Sequence, residues 1–140
     1  MTARQVTPKK TFEAFVEKIN AQDPDGLAEL MSEDHTFIDA LAYKVVGREA
    51  MRKGWIGYFS MVPDYWIECE IVLSRGSTVA AFGRAGGTYV HDGILRPENR
   101  WEVPAAWLAV TRRGKIVEWR VYADNEPIRG IMAREKGRCK

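Results

Sequence analysis

The sequence predicts an α+β fold in which helices cover one side of a curved antiparallel sheet. The first half carries three helical patterns of apolar residues, and the second half carries four extended patterns that end in a long hairpin. Gly83, Gly86 and Gly87 lie within one strand pattern, where glycines allow a sheet to bend sharply. The predicted order is helix, helix, strand, helix and then four strands.

The first two helices are predicted from their start signals. Residues 7–22 begin with Thr-Pro, an N-cap followed by the residue that suits a first helical turn, and then repeat apolar residues at helical spacing. Residues 23–32 begin with Asp-Pro and continue as a shorter helix. These helices are expected to lie across the sheet as a hairpin.

A short strand with an unexpected acid follows the helices. Over residues 35–40, Phe37 and Asp39 share one face of the strand. A carboxylate is unexpected there, because the alternation requires an apolar residue on the side of the helices. A third amphipathic helix is predicted over residues 51–62 from apolar side chains at helical spacing. These side chains are Met51, Trp55, Tyr58, Phe59 and Val62.

The second half of the chain predicts four strands. Residues 66–73 and 78–90 form two of them, joined by a turn that contains glycine. The hairpin of residues 101–124 turns where Gly114 can take the left-handed conformation. Its high apolar content requires at least one buried face, and its second strand ends in Asp124.

Length and composition indicate one globular domain that spans residues 1–140. The 21 basic and 19 acidic side chains give a net charge of +2, a balance that argues against nucleic acid as a partner. No apolar run approaches the roughly 18 residues of a spanning helix, so no membrane partner is expected. The first residues lack the apolar core of a secretory signal, and we expect a cytoplasmic protein.

Metal and disulfide chemistry are not expected. Cys69 and Cys139 are the two thiols, too few for a disulfide framework or a zinc cluster. His35 and His91 are far apart in sequence and lack the spacing of metal ligands. We expect no cofactor, and we expect His91, in a loop, to be solvated.

Three segments of the chain resemble a known superfamily. They are FEAFVEKINAQDPDGLAELMSEDHTFID at residues 12–39, VVGREAM at residues 45–51 and RWEVPAAWLAVTRRGKIVEWRVYAD at residues 100–124. They are similar to the SnoaL-like and limonene epoxide hydrolase-like branch of the nuclear transport factor 2-like superfamily. The resemblance implies a cystatin-like curved sheet wrapped around the N-terminal helices, a cone-shaped pocket and a homodimer formed through the outer face of the sheet.

Ketosteroid isomerases give the first pattern within this superfamily. Their general-base aspartate resembles Asp39, whereas their oxyanion-holding tyrosine falls on Phe15 and their protonated aspartic acid falls near Val103. Both oxyanion donors are therefore missing, and loss of one such donor alone typically costs about 10²–10³ in rate. The resemblance thus argues against a ketosteroid isomerase proper.

Two further patterns involve the last strand. In limonene epoxide hydrolases the water-activating aspartate resembles Asp124 and the arginine between two aspartates resembles Arg84, but Gly86 replaces their second aspartate. Their water-holding tyrosine and asparagine fall on Phe37 and Asp39. SnoaL-type polyketide cyclases use an acid/base aspartate that Asp124 also resembles.

Asp39, Asp124 and Arg84 are the candidate catalytic residues. A carboxylate in an apolar cavity accepts protons more readily than one in water, and an adjacent arginine would hold one of two carboxylates ionised. The simpler interpretation is that Asp124 caps the tail segment and that Asp39 lies in water at a strand end.

Aromatic side chains are the candidate substrate-binding residues, although core packing is their commoner role. These candidates are Phe15, Phe37, Trp55, Tyr58, Phe59, Trp101, Trp107, Trp119 and Tyr122. The predicted function is cofactor-independent isomerisation, cyclisation or hydration of a small hydrophobic or aromatic molecule. The alternatives are a non-catalytic ligand-binding or assembly domain and an epoxide hydrolase.

Overall fold

The structure is a computed structural model that describes residues 6–138. Cys139, one of the two thiols, lies outside the described residues. The helices are α1 (Pro8–Asn20), α2 (Pro24–Glu29), α3 (Arg48–Met61) and α4 (Glu126–Arg138), with a 3₁₀ turn at Pro97–Asn99. The strands are β1 (Met31–Ile38), β2 (Lys44–Val46), β3 (Trp66–Arg75), β4 (Thr78–Thr88), β5 (Arg100–Arg112) and β6 (Lys115–Ala123).

The predicted α+β fold is confirmed, with one correction to the sheet. Its six strands follow the order β2-β1-β6-β5-β4-β3, and β1 pairs with β6 in parallel while the other neighbours are antiparallel. The sheet is therefore mixed, because the N-terminal strand returns beside the last strand of the chain. Strand β2, which the sequence did not predict, forms one edge.

The predicted helix starts are confirmed by their side-chain caps. Thr7 accepts a hydrogen bond from the Lys10 amide at 3.2 Å, and Asp23 accepts one from the Gly26 amide at 2.9 Å. Helix α1 lays its apolar face on the sheet, where the rings of Phe12 and Trp119 stack with centroids 5.4 Å apart. These contacts bury the concave side of the sheet.

The bend of the sheet depends on close backbone approach at Gly83. A Cβ atom at this position would lie 1.8 Å from the carbonyl oxygen of Glu68, a distance no side chain can occupy. The register between β3 and β4 shifts nearby, between Cys69 and Ile71. The glycine therefore allows the two strands to curl around the helices.

Helix α4 occupies the tail that the sequence left without structure. Asp124 accepts a hydrogen bond from the Glu126 amide at 2.9 Å at the start of the helix, and Ile131 is buried against the core. His91 is an exposed loop residue, as expected, and its Nε2 also lies 2.9 Å from the buried Glu135 carboxylate. Within residues 6–138, no helix combines the length and the apolar character that crossing a membrane requires.

Candidate functional site

An apolar cavity of about 350 Å³ lies between the concave face of the sheet and helix α3. Its size is that of a small-molecule site. Strand β5 supplies alternate side chains to its wall, as expected for a strand with one buried face. The lining residues are Phe37, Asp39, Ala40, Val45, Met51, Gly54, Trp55, Tyr58, Tyr65, Ala85, Trp101, Val103, Ala105, Trp107, Trp119, Val121, Ala123 and Asn125.

Four aromatic residues form a continuous side of the cavity, which we name the aromatic wall: Trp55, Tyr58, Tyr65 and Trp101. Successive ring centroids lie 6.3, 4.9 and 6.2 Å apart, and the first two contacts are nearly perpendicular. Burial raises the pKa of both tyrosines, so their hydroxyls stay protonated at neutral pH.

The polar groups of the aromatic wall have no partner within the part of the chain that the structure describes. The indole nitrogens of Trp55 and Trp101 are buried without a hydrogen-bond acceptor. The hydroxyls of Tyr58 and Tyr65 likewise make no hydrogen bond to residues 6–138. A buried donor without a partner costs about 1–3 kcal/mol, which a bound acceptor atom can offset. The wall is therefore suited to receive an oxygen atom.

Asp39 is the one charged side chain among the described residues that line the cavity. Its Oδ1 accepts hydrogen bonds from the amides of Leu41 at 2.8 Å and Tyr43 at 3.0 Å, which hold the turn between β1 and β2. Its Oδ2 has no hydrogen bond from residues 6–138. Half-buried at the end of β1, the carboxylate keeps one oxygen available for a ligand.

The structure does not bring the other two catalytic candidates to the cavity. Asp124 is exposed and caps α4, although its neighbours Ala123 and Asn125 both line the cavity. This position matches the simpler interpretation of Asp124 as a cap. The expectation that Asp124 faces the cavity with Asp39 is therefore corrected.

Arg84 lies on the convex face of the sheet, so its expected position between two cavity aspartates is also corrected. Its guanidinium contacts Glu70 at 3.1 Å, Glu68 at 3.2 Å and Glu102 at 3.4 Å. These carboxylates raise the pKa of Arg84, Glu102 most. The placement follows from strand parity, because the neighbouring Ala85 faces the cavity.

Gly86 also serves a packing role on the convex face. A Cβ atom there would lie 2.8 Å from the indole ring of Trp66, which packs over the glycine. A carboxylate at this position would displace the ring of Trp66. The two-aspartate arrangement implied by the epoxide hydrolase resemblance is therefore absent around Arg84 in the described residues.

Six of the nine aromatic candidates line the cavity: Phe37, Trp55, Tyr58, Trp101, Trp107 and Trp119. Phe15 and Phe59 are buried behind the residues that line the cavity. The ring centroids of Phe15 and Trp119 lie 4.6 Å apart, and those of Phe59 and Trp55 lie 5.3 Å apart. Tyr122 lies on the convex face under the guanidinium of Arg120, 48% exposed. Phe15, Phe59 and Tyr122 therefore do not line the cavity.

Tyr65 is the main wall residue that the sequence did not identify. It precedes β3 in a short connection, where no periodic pattern marks the direction of a side chain. Val103 and Ala105 could have been found, because they alternate with exposed residues between Trp101 and Trp107. No cluster of three or more His, Cys, Asp or Glu side chains within residues 6–138 is arranged to hold a metal ion.

Several solved structures have the same fold as this chain. A putative polyketide cyclase from Xanthomonas campestris is similar, with a TM-score of 0.77 at 18% identity over 89% of this chain and 96% of that chain. A hypothetical protein with a ketosteroid isomerase-like fold from Catenulispora acidiphila, solved in complex with trimethylamine, has a TM-score of 0.74 at 21% identity, covering 88% of this chain and 91% of that chain.

A putative hydroxylase from Streptomyces galilaeus has a TM-score of 0.73 at 19% identity, over 91% of this chain and 96% of that chain. No curated protein matches the sequence. Residues 12–119 match the SnoaL-like domain, and the chain belongs to this family.

Proposed function

We propose that the protein catalyses cofactor-independent proton transfer on a small hydrophobic molecule in the cavity, with Asp39 as the base. The observation that carries this proposal is a carboxylate with one unengaged oxygen in the wall of an otherwise uncharged, largely aromatic cavity. Membership of the SnoaL-like family, which includes polyketide cyclases, supports the same class of chemistry.

Asp39 is suited to a proton shuttle because its two oxygens have separate tasks. Oδ1 is fixed by two backbone amides, which leaves Oδ2 to accept a proton from carbon or from water. Since Asp124 and Arg84 lie outside the cavity, the same carboxyl group would return the proton. An isomerisation, in which a proton leaves one carbon and returns to another on the same face, requires only one such group.

The aromatic wall would stabilise the oxygen on which charge develops. Proton loss beside a carbonyl moves negative charge to its oxygen, and hydrogen-bond donors aimed at that position lower the barrier. The hydroxyls of Tyr58 and Tyr65 are suitable donors, since burial raises the pKa of both and keeps them protonated. They would replace the donors that the sequence lacks at Phe15 and Val103.

The proposal is tested by solvent deuterium exchange into a panel of cyclic enolisable ketones, followed by NMR. We expect the wild-type protein to catalyse exchange and Asp39→Asn to lose about 10²-fold or more of that rate, the usual contribution of a general base. Asparagine retains an oxygen that can accept from Leu41 and Tyr43, so the turn is expected to persist.

Asp124→Asn is the matched control, because it makes the same chemical change outside the cavity and asparagine also caps helices well. Its exchange rate should equal that of the wild type. Equal rates in wild type and Asp39→Asn, or no exchange with any ketone of the panel, would reject Asp39 as the base.

A non-catalytic ligand-binding domain is the second candidate. It is favoured by the position of Asp124 outside the cavity, which leaves the site with a single carboxyl group. The trimethylamine complex of the Catenulispora protein is an example of a small ligand on this fold. The epoxide hydrolase alternative has less support, because Arg84 is paired with glutamates on the convex face.

We also propose that the protein forms a homodimer through the convex face of the sheet. Four large apolar residues are about half exposed there, a larger group than scattered surface residues would give. They are Ile71, Leu73, Phe82 and Tyr122. The proposal includes a cytoplasmic location, which fractionation of the native cells would test.

A further inference from the structure

We infer that the cavity binds a small hydrophobic ammonium ion, whose positive charge lies between Asp39 and the aromatic wall. This inference concerns the charge and shape of the cavity rather than turnover, and so goes beyond the proton-transfer proposal. It assigns to the cavity a class of positively charged ligand, which differs from the neutral ketones that the proton-transfer proposal uses.

The first argument is the charge of the cavity. Among the described residues of its lining, Asp39 carries the one formal charge, and no lysine, arginine or histidine contributes. Its Oδ1 is held by neutral amides, and within residues 6–138 it makes no ion pair. A carboxylate without an ion-pair partner attracts a cation, so the Oδ2 that makes no hydrogen bond favours a positively charged ligand.

The second argument is the arrangement of the rings. Trp55 and Tyr58 meet at 87°, and Tyr58 and Tyr65 meet at 85°, so consecutive rings form corners rather than a flat surface. Trp101 continues this series beside Tyr65, and Phe37 meets Trp55 at 79°. Tryptophan and tyrosine rings line the cavity, and a cation within about 6 Å of the face of such a ring is held by cation–π attraction, most strongly by tryptophan.

The third argument is the contrast between the charged carboxylate of Asp39 and the apolar residues that form the rest of the cavity lining. Beyond Asp39, the lining consists of aliphatic and aromatic side chains with one amide, Asn125. A fully hydrated cation such as a metal ion would find few oxygen ligands there. An ammonium group that carries methyl or aryl substituents satisfies both parts of the site, since its apolar surface is buried while its charge faces the carboxylate.

The test compares two probes of the same shape, phenyltrimethylammonium and tert-butylbenzene, with the full-length protein. Binding is followed by tryptophan fluorescence and by the NMR shift of the probe methyl protons, which move upfield beside ring faces. We expect the ammonium probe to bind about 10-fold or more tightly than its neutral counterpart. Asp39→Asn should remove that preference, and Asp124→Asn should retain it.

Three results would overturn the inference: equal or tighter binding of tert-butylbenzene, an ammonium preference that persists in Asp39→Asn, or no binding of either probe. The outcome is independent of the proton-transfer proposal. If only proton transfer fails, the ammonium preference is still measured by fluorescence. If only this inference fails, ketone exchange persists and still depends on Asp39.

Discussion

The concave and convex faces of the sheet differ in whether their charged side chains are paired. On the concave face, Asp39 lies in an aromatic cavity without a cation from the described residues. On the convex face, Arg84 is shared by three glutamates that are all at least half exposed. Water screens the convex cluster, so its charges contribute little to stability, whereas the lone concave carboxylate is available to act on a ligand. An unpaired charge is therefore the better indicator of function here.

The largest expected difference between the faces is in stability. Trp119→Ala removes a fully buried ring that packs on Phe12 and Phe15, and we expect the free energy of unfolding to fall by about 3–5 kcal/mol. Phe82→Ala removes a ring that is 47% exposed on the convex face, and should cost about 0.5 kcal/mol in dilute protein. Urea unfolding followed by circular dichroism measures both. Similar losses in the two variants would contradict the assignment of the core to the concave face.

The convex face is tested next through its proposed role as a dimer interface. Phe82→Asp places a charge among exposed apolar residues, and we expect it to raise the dimer dissociation constant by roughly 100-fold. The control is Leu41→Asp, which makes the same kind of change at an exposed residue in the turn after β1. Light scattering after size-exclusion chromatography gives the mass of each variant. A monomeric wild type, or equal dissociation of both variants, would exclude this interface.

Much of the fold could be predicted from local signals in the sequence. Thr7 and Asp23 cap helices as predicted, and the alternation from Trp101 to Trp107 gives the face of β5. Helix α4 was missed because glycines at 130 and 137 and many charged residues weaken its helical pattern. The parallel pairing of β1 with β6 joins residues about 80 apart, and nothing in a local pattern specifies it.

The candidate site was predicted less completely than the fold, for a geometric reason. Asp39 was placed by strand alternation, which fixes the side of a residue whose neighbours are known. Arg84 was placed by family resemblance, and Asp124 by that resemblance and by its position at the end of the apolar last strand. Both arguments give a position along the chain but not exposure to the cavity. The parity of β4 already sets Arg84 opposite to Ala85. The end of β6 at Ala123, which frees Asp124 to cap α4, depends on tertiary structure.

The smallest expected effect concerns a buried polar residue beside the core. His35 is fully buried, its Nδ1–H donates to the carbonyl of Ile116 at 2.8 Å, and burial lowers its pKa from the ordinary value of 6.5. As the pH falls below 6.5, the unfolded chain therefore takes up a proton before the folded chain does. The free energy of unfolding should then decrease, by at most about 1.4 kcal/mol per pH unit.

His35→Asn isolates this effect, because the Nδ2 of asparagine can replace the Nδ1–H donor and does not titrate. Unfolding measured between pH 7 and pH 5 should show a smaller slope in the variant than in the wild type. Equal slopes would mean that His35 takes up a proton as readily in the folded protein as in the unfolded one, so that burial does not lower its pKa. The core beneath the concave face would then not be the dry region on which its contrast with the convex face depends.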